Sequence, residues 1–240
     1  MFCFWKKNVC GASVKGPSHV LHGIVNQDAF LYQKKRKYSL FVVSDGMGSK
    51  PYSDIGSKMA CKSVAMEIEL FVKNKHLSYP ISQLFENVVE RWKKSVLPHD
   101  AKECSATCLF VFATKTKILT ARLGDGMICL LGKESSQSVA LTDDKDGSFS
   151  NATCSLSDSS AVQEFKYAIY DRSLFKGVVL STDGISADMN SGKELPFAED
   201  IFCELKTMFF WKRNAFLRNM MENWPVPHHT DDKTIVVAGL

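Results

Sequence analysis

Three segments of the chain end an apolar run on an acid followed by glycine. They are Val42-Val43-Ser44-Asp45-Gly46, Ala121-Arg122-Leu123-Gly124-Asp125-Gly126 and Val179-Leu180-Ser181-Thr182-Asp183-Gly184. Asp231-Asp232 directly precedes a further apolar run, and Asp28 precedes Ala29-Phe30-Leu31. A single Asp-Gly is ordinarily a turn, because both residues favour turns for local reasons. Repetition at strand ends changes that reading. Adjacent strands lie only ~5 Å apart, so acids at their ends converge on one sheet edge. Carboxylates gathered there repel one another unless something neutralises them. A hard divalent cation does so, and carboxylates with backbone carbonyls and water suit Mg²⁺ or Mn²⁺. Gly46 lets the backbone turn sharply and offer its own carbonyl to such an ion. Two ions ~3.5–4 Å apart can hold a bridging hydroxide and polarise a phosphoryl group. That chemistry is phosphate-ester hydrolysis without a covalent intermediate. His228 and His229 stand near Asp231 but read as loop residues.

The elements that must position these acids follow from hydrophobic periodicity. Residues 39–43 read as a buried strand that runs into the turn at Asp45. A helix follows Pro51, with Ala60, Val64, Ile68 and Val72 as its apolar stripe. A second follows Pro80, burying Ile81, Leu84, Phe85, Val88 and Trp92 and ending before Pro98. Strands are expected at Ala106–Ala113, Lys117–Leu123, Met127–Leu131, Val162–Tyr170, Gly177–Ser181 and Thr234–Ala238. One long helix is expected from Phe197 to about Met221. Residues 133–160 are rich in Ser, Asp, Lys and Gly and read as a long exposed loop, with 143–160 a candidate lid or substrate-docking segment. Segregated helices and strands give an α+β fold, with helices packed on antiparallel sheets. No repeat or linker divides the chain, so residues 1–240 read as one domain.

Composition removes several classes. With 45% hydrophobic and 23% charged residues over 240 positions, the chain is neither disordered nor fibrous. A net charge of +4 with a pI near 8.5 does not argue for nucleic-acid binding. The run Lys34-Lys35-Arg36-Lys37 between two apolar stretches reads as a solvated turn, with a docking patch as the second reading. No apolar run reaches the ~18 residues of a membrane span, and Met1–Lys7 lacks the order of a signal peptide. The eight cysteines contain no CxxC pair, which favours reduced, mostly buried thiols of a cytoplasmic protein over a zinc site. Cys104 and Cys108 are expected on one strand, side by side on one face.

At the acids, the sequence resembles the metal-dependent type 2C protein serine/threonine phosphatases, the PPM family. The resemblance rests on Asn26-Gln27-Asp28, Val43-Ser44-Asp45-Gly46-Met47-Gly48, Ser105-Ala106-Thr107, Leu123-Gly124-Asp125, Leu180-Ser181-Thr182-Asp183-Gly184 and Asp231-Asp232-Lys233-Thr234-Ile235-Val236-Val237, in the family's order. The Asp-Gly-Met-Gly form, the Gln-Asp pair and the stretch Gly147–Thr153 look most like a compact bacterial branch. The resemblance implies a β-sandwich of two mainly antiparallel sheets flanked by helices, four layers in αββα order. It implies that Asp45 bridges two Mn²⁺ or Mg²⁺ ions, that the Gly46 carbonyl binds one, and that Asp183 and Asp231 complete the set. Asp231 is preferred to Asp232 because the family's ligand lies three residues before Thr234. Asp28 would act through a metal-bound water, and Asp125 with Asp183 would hold a weaker third ion. The hydroxide would attack phosphoserine or phosphothreonine of a protein phosphorylated by a cognate kinase, in a signalling role.

Three departures from the family pattern stand out. Met47 replaces the His that follows Asp-Gly in animal members, leaving a metal-bound water to protonate the leaving alkoxide. Gly23 stands where many members place a phosphate-binding Arg, so His19, His22 or Lys15 would meet the phosphate. The acid after Asp183-Gly184 is shifted by one, to Asp188. A catalytically weak or inactive phosphoprotein-binding module on the same fold is the alternative reading, and a hydrolase of small phosphate esters a third.

Overall fold

The computed structural model describes residues 9–73, 80–142 and 153–240. The described residues open with β1 (Val9–Val14), α1 (Pro17–Leu21), β2 (Ala29–Lys34) and β3 (Ser39–Ser44). Two long helices follow, α2 (Ser53–Lys73) and α3 (Ile81–Ser95), then β4 (Cys108–Ala113), β5 (Lys117–Leu123), β6 (Met127–Gly132) and β7 (Val139–Leu141). The last part holds α4 (Ala161–Glu164), β8 (Lys166–Asp171), β9 (Phe175–Ser181), α5 (Asp183–Ser186), α6 (Glu194–Thr207), α7 (Phe210–Glu222) and β10 (Lys233–Gly239).

The strands form two five-stranded sheets in the orders β1-β10-β9-β6-β7 and β2-β3-β4-β5-β8. Every pairing is antiparallel. The period of two along β3 shows how the layers are filled. Phe41 and Val43 pack between the sheets with Leu109, Val111, Val178 and Leu180. Leu40 and Val42 face the other way, onto Val64, Ile68, Phe85 and Trp92 of α2 and α3. Both faces of β3 are therefore covered, which is why its sequence is an unbroken apolar run rather than an alternation. On the opposite sheet, Ile201, Phe202, Leu205, Leu217 and Met221 of α6 and α7 cover Cys129, Val179, Ile235 and Val237. The result is the four-layer αββα sandwich.

Local differences from the sequence reading have identifiable causes. The expected single helix from Phe197 to Met221 is two helices, because the backbone turns extended at Met208 (φ −88°, ψ 150°). Arg213, buried, holds that corner by donating to the Met208 carbonyl from Nε (3.2 Å) and from a terminal nitrogen (2.9 Å). The strand expected from Val162 begins only at Lys166, because Ala161 is drawn into the core by a helical turn. Cys104 is not on a strand with Cys108; it closes a 3-10 turn whose start is capped by the Asp100 carboxylate on the Lys102 N–H (2.9 Å). Both thiols are buried, and burial pushes Cys108 up to about 12, so it is inert at neutral pH. Within 133–160, residues 139–141 form a strand, and the greater part of the candidate lid, with most of Gly147–Thr153, lies outside the described residues. No helix among the described residues is long and apolar enough to cross a membrane.

Candidate active site

The acids come together at one end of the sandwich, each carried there by a different strand. Asp28 precedes β2 and Asp45 follows β3, and the register pairs Ala29 with Ser44, which sets the two acids opposite each other. Asp183 follows β9 and Asp231 precedes β10; here Ile235 pairs with Ser181. Asp125 lies in the turn where the chain passes from β5 in one sheet to β6 in the other. Thr182 ties the sheets together. Its Oγ1 donates to Asp28 Oδ2 (2.8 Å) and accepts from the Thr234 N–H (3.1 Å).

The backbone at Asp45 is equally fixed. Its N–H donates to Thr107 Oγ1 (2.9 Å), and its carbonyl accepts from the Thr107 N–H (2.8 Å). Glycine is required on each side of this end. A Cβ on Gly46 would stand 2.5 Å from the Ser53 carbonyl oxygen and 2.7 Å from that of Gln27, and one on Gly184 would stand 1.9 Å from that of Asp232. Any side chain at either position would force the strand ends apart.

Burial and mutual repulsion shape the charge of the cluster. The Asp45 carboxyl is held well above the ordinary carboxylate range, first by burial and then by the charges of Asp28, Asp183 and Asp231. Burial pushes Asp28 up to about 7, opposed by hydrogen bonds from Asp45, Thr234 and Thr182. Burial and Asp231 push Asp183 up to about 6. Asp231 is exposed as a residue, yet its carboxyl is partly desolvated and also raised. Asp28 Oδ1 is buried without a hydrogen-bond partner among the described residues. Among the described residues no three His, Cys, Asp or Glu side chains stand as a closed metal cage. The donor set still fits a hard cation: oxygen atoms alone, one of them orphaned, in a group that repels itself when ionised.

The remaining candidates are placed as follows. Asp232 is buried, and its oxygens accept from the backbone N–H groups of Gly16 (2.7 Å) and Gln27 (2.6 Å). His19 Nδ1 lies 2.9 Å from Asp232 Oδ2, close enough for an ion pair though not aligned as a hydrogen bond. His22 is exposed and turns its Nδ1 back to the Ser18 carbonyl (2.8 Å), and Lys15 is exposed. Thr153 donates to Asp125 Oδ2. His229 does lie in a loop, where its Nδ1 meets Lys233 Nζ (3.2 Å).

Two supports of the acids leave no signal in the sequence spacing. Thr182 was visible as the neighbour of Asp183, but nothing in its spacing shows that it reaches Asp28. Lys233 is buried beside the site, with Nζ 3.4 Å from the Asp231 carbonyl, 3.7 Å from Asp188 Oδ2 and over the Trp224 ring. Thr182→Val keeps the shape but leaves Asp28 Oδ2 and the Thr234 N–H without their partner. Urea denaturation should show a loss of about 1–3 kcal/mol, the cost of unsatisfied buried polar groups; an unchanged midpoint would contradict the inter-sheet tie.

The αββα sandwich carries an oxygen-only acid cluster between its sheet ends. The family model described as Protein phosphatase 2C matches residues 15–222, and the chain belongs to that family of protein serine/threonine phosphatases. The match stops short of Asp231, so that acid is tied to the others by the pairing of β10 with β9. Solved structures share the fold. A bacterial serine phosphatase is 14% identical over 97% of each chain, with a TM-score of 0.66. The serine/threonine phosphatase Stp1 from Staphylococcus aureus is 14% identical over 97% of this chain and 94% of its own, with a TM-score of 0.65. The S. agalactiae serine/threonine phosphatase is 14% identical over 96% and 98%, with a TM-score of 0.66. No curated protein sequence matches the chain.

Proposed function

We propose that residues 1–240 act as one cytoplasmic phosphatase domain that hydrolyses phosphoserine and phosphothreonine on proteins, opposing a cognate kinase, with two Mn²⁺ or Mg²⁺ ions and no covalent intermediate. The observation that carries this reading is the field at Asp45, where Asp28, Asp183 and Asp231 all bear on one buried carboxyl. Asp45, Asp183, Asp231 and the Gly46 carbonyl would hold the ions, and Asp125 with Asp183 a third. When bound, such ions supply a water ionised near neutral pH and positive charge against the phosphoryl oxygens.

The chain's own residues do the positioning. Thr107 holds the Asp45 backbone through both its N–H and its carbonyl, and Asp28, fixed by Thr182, interacts with the Asp45 carboxyl. Asp232 has both oxygens engaged by backbone N–H groups, which favours Asp231 as the ligand. His19, seated on Asp232 at the edge of the cluster, is better placed to meet a phosphate than His22 or Lys15.

Phosphate release from phosphothreonine peptides should require millimolar Mn²⁺ or Mg²⁺ and stop in EDTA. Equal release in EDTA would overturn the reading. Faster turnover of small phosphate esters than of phosphopeptides would replace the protein substrate with metabolites.

A further inference from the structure

The opposite end of the sandwich has the opposite charge. There β2 passes to β3 through Lys35-Arg36-Lys37, β4 to β5 past Lys115, and β8 to β9 through Arg172. A groove of about 630 Å³ lies among these turns, lined by Lys34, Lys35, Arg36, Lys37, Lys115 and Arg172. That volume is within the ~300–1,000 Å³ of small-molecule sites. Among the described residues no side-chain carboxylate lines it, and Leu240 lies at its edge. A second hollow of about 420 Å³ shares Lys115 and Arg172 and adds Lys133; its one acid, Asp171, is taken by Lys117 at 2.7 Å.

Among the described residues, the cations there are largely uncompensated. Lys35 is paired with Glu69 (2.8 Å), and Lys34 Nζ donates to the Gly239 carbonyl (3.0 Å). Arg172 Nε is buried with no hydrogen-bond partner, although the backbone N–H of Arg172 is fixed on the Thr116 carbonyl (2.9 Å). Burial, and then the nearby Arg172 charge, push the Lys34 amine below its ordinary range. Like charges held together at a partly desolvated place are unfavourable until an anion joins them. A guanidinium with ammonium groups around it is a donor set for phosphate oxygens.

We propose that this groove binds a small ligand carrying two or more phosphate groups, with Arg172, Lys34 and Lys115 as donors and Arg36 and Lys37 extending the site. A concave site with no exposed large hydrophobic in its lining suits a soluble polyanion; a membrane-surface site sets apolar side chains beside its cations. The groove and the acid cluster stand at opposite ends of β2 and β3, so the proposal does not rest on the phosphatase reading.

The test is titration calorimetry with sodium tripolyphosphate in EDTA, which keeps divalent ions from the acid cluster. One-site binding is expected, at least about tenfold tighter than that of inorganic phosphate and weakened about tenfold or more by Arg172→Ala. Arg36→Glu with Lys37→Glu alters only exposed turn residues and should weaken it as well, with circular dichroism reporting an intact fold. Absence of binding, or binding unaffected by these variants, would overturn the site. Tighter association with phosphatidylserine vesicles than with tripolyphosphate, lost in the same variants, would overturn the small-ligand assignment in favour of a membrane surface.

Discussion

Asp45→Asn is expected to abolish metal-dependent phosphate release while raising the melting temperature of the metal-free protein. The two effects have one origin. In the proposed site Asp45 is the carboxylate common to both ions, and Asn supplies neither the charge nor the second ligand oxygen. Loss of one preorganised electrostatic contact typically costs ~10²–10³ in kcat, and loss of the shared ligand should cost at least that. Without metal, the same carboxyl is a liability. It is buried and faces the charges of Asp28, Asp183 and Asp231. Asn keeps its size and its capacity to bond Asp28 but removes the charge. Thermal denaturation in EDTA at about pH 8, far above the ~3.9 at which an unfolded-state Asp titrates, should show a higher Tm by some degrees, at roughly 2–4 °C per kcal/mol for a chain of this length. Undiminished turnover would remove Asp45 from the mechanism. A lower Tm would mean that its charge is compensated in the metal-free protein.

Stability of the metal-free protein should fall as pH rises, the reverse of the trend for salt-bridged acids. Asp28 is pushed up to about 7 and Asp183 to about 6, whereas an unfolded-state Asp titrates near ~3.9. Between those limits the folded state binds more protons than the unfolded state, so unfolding free energy declines with each step upward in pH. The stabilising protonation is complete below about pH 4 and is lost as pH passes through about 6 and then about 7. In the proposed site a cation would bind the ionised acids and reverse the trend. Mn²⁺ should therefore raise Tm strongly at about pH 8 and little at about pH 5, where protons occupy the same oxygens. A thermal-shift grid of pH against Mn²⁺ measures both arms. A metal-free Tm that climbs from pH 5 to 8 would contradict the burial of these acids.

What the sequence made legible depended on whether the cause was local. β3, β4 and β5 are apolar runs because both faces are covered, and Asp45, Asp125 and Asp183 stand out because each ends such a run. β1 has no comparable signal. Val9-Cys10-Gly11-Ala12-Ser13-Val14 is a strand because β10 pairs with it, and Gly11 is there because the Phe30 ring would stand 2.8 Å from a Cβ. α1 buries no residue, so it leaves no periodic trace. The stripe of α6 continues into α7 across Met208, and only the bonds from Arg213 reveal the corner. Asp231 and Asp232 are chemically identical neighbours. What separates them is the pair of N–H groups at Gly16 and Gln27, more than two hundred residues away in the chain. The basic run Lys34–Lys37 reads first as a solvated turn and second as a docking patch, and only the fold sets Lys115 and Arg172 beside it.

The division of the acids between the two sheets also bears on assembly. Asp28 and Asp45 belong to one sheet, Asp183 and Asp231 to the other, and Asp125 to the turn between them. Neither sheet alone could form the proposed site, so recovery of activity during refolding would report the docking of one sheet on the other rather than the formation of either. The cation would in turn act as a clasp on that docking. At a free concentration of 100 times Kd, ligand binding to the native state alone adds ~2.7 kcal/mol, and here that stabilisation would fall on the end of the sandwich where its own carboxylates otherwise push the layers apart.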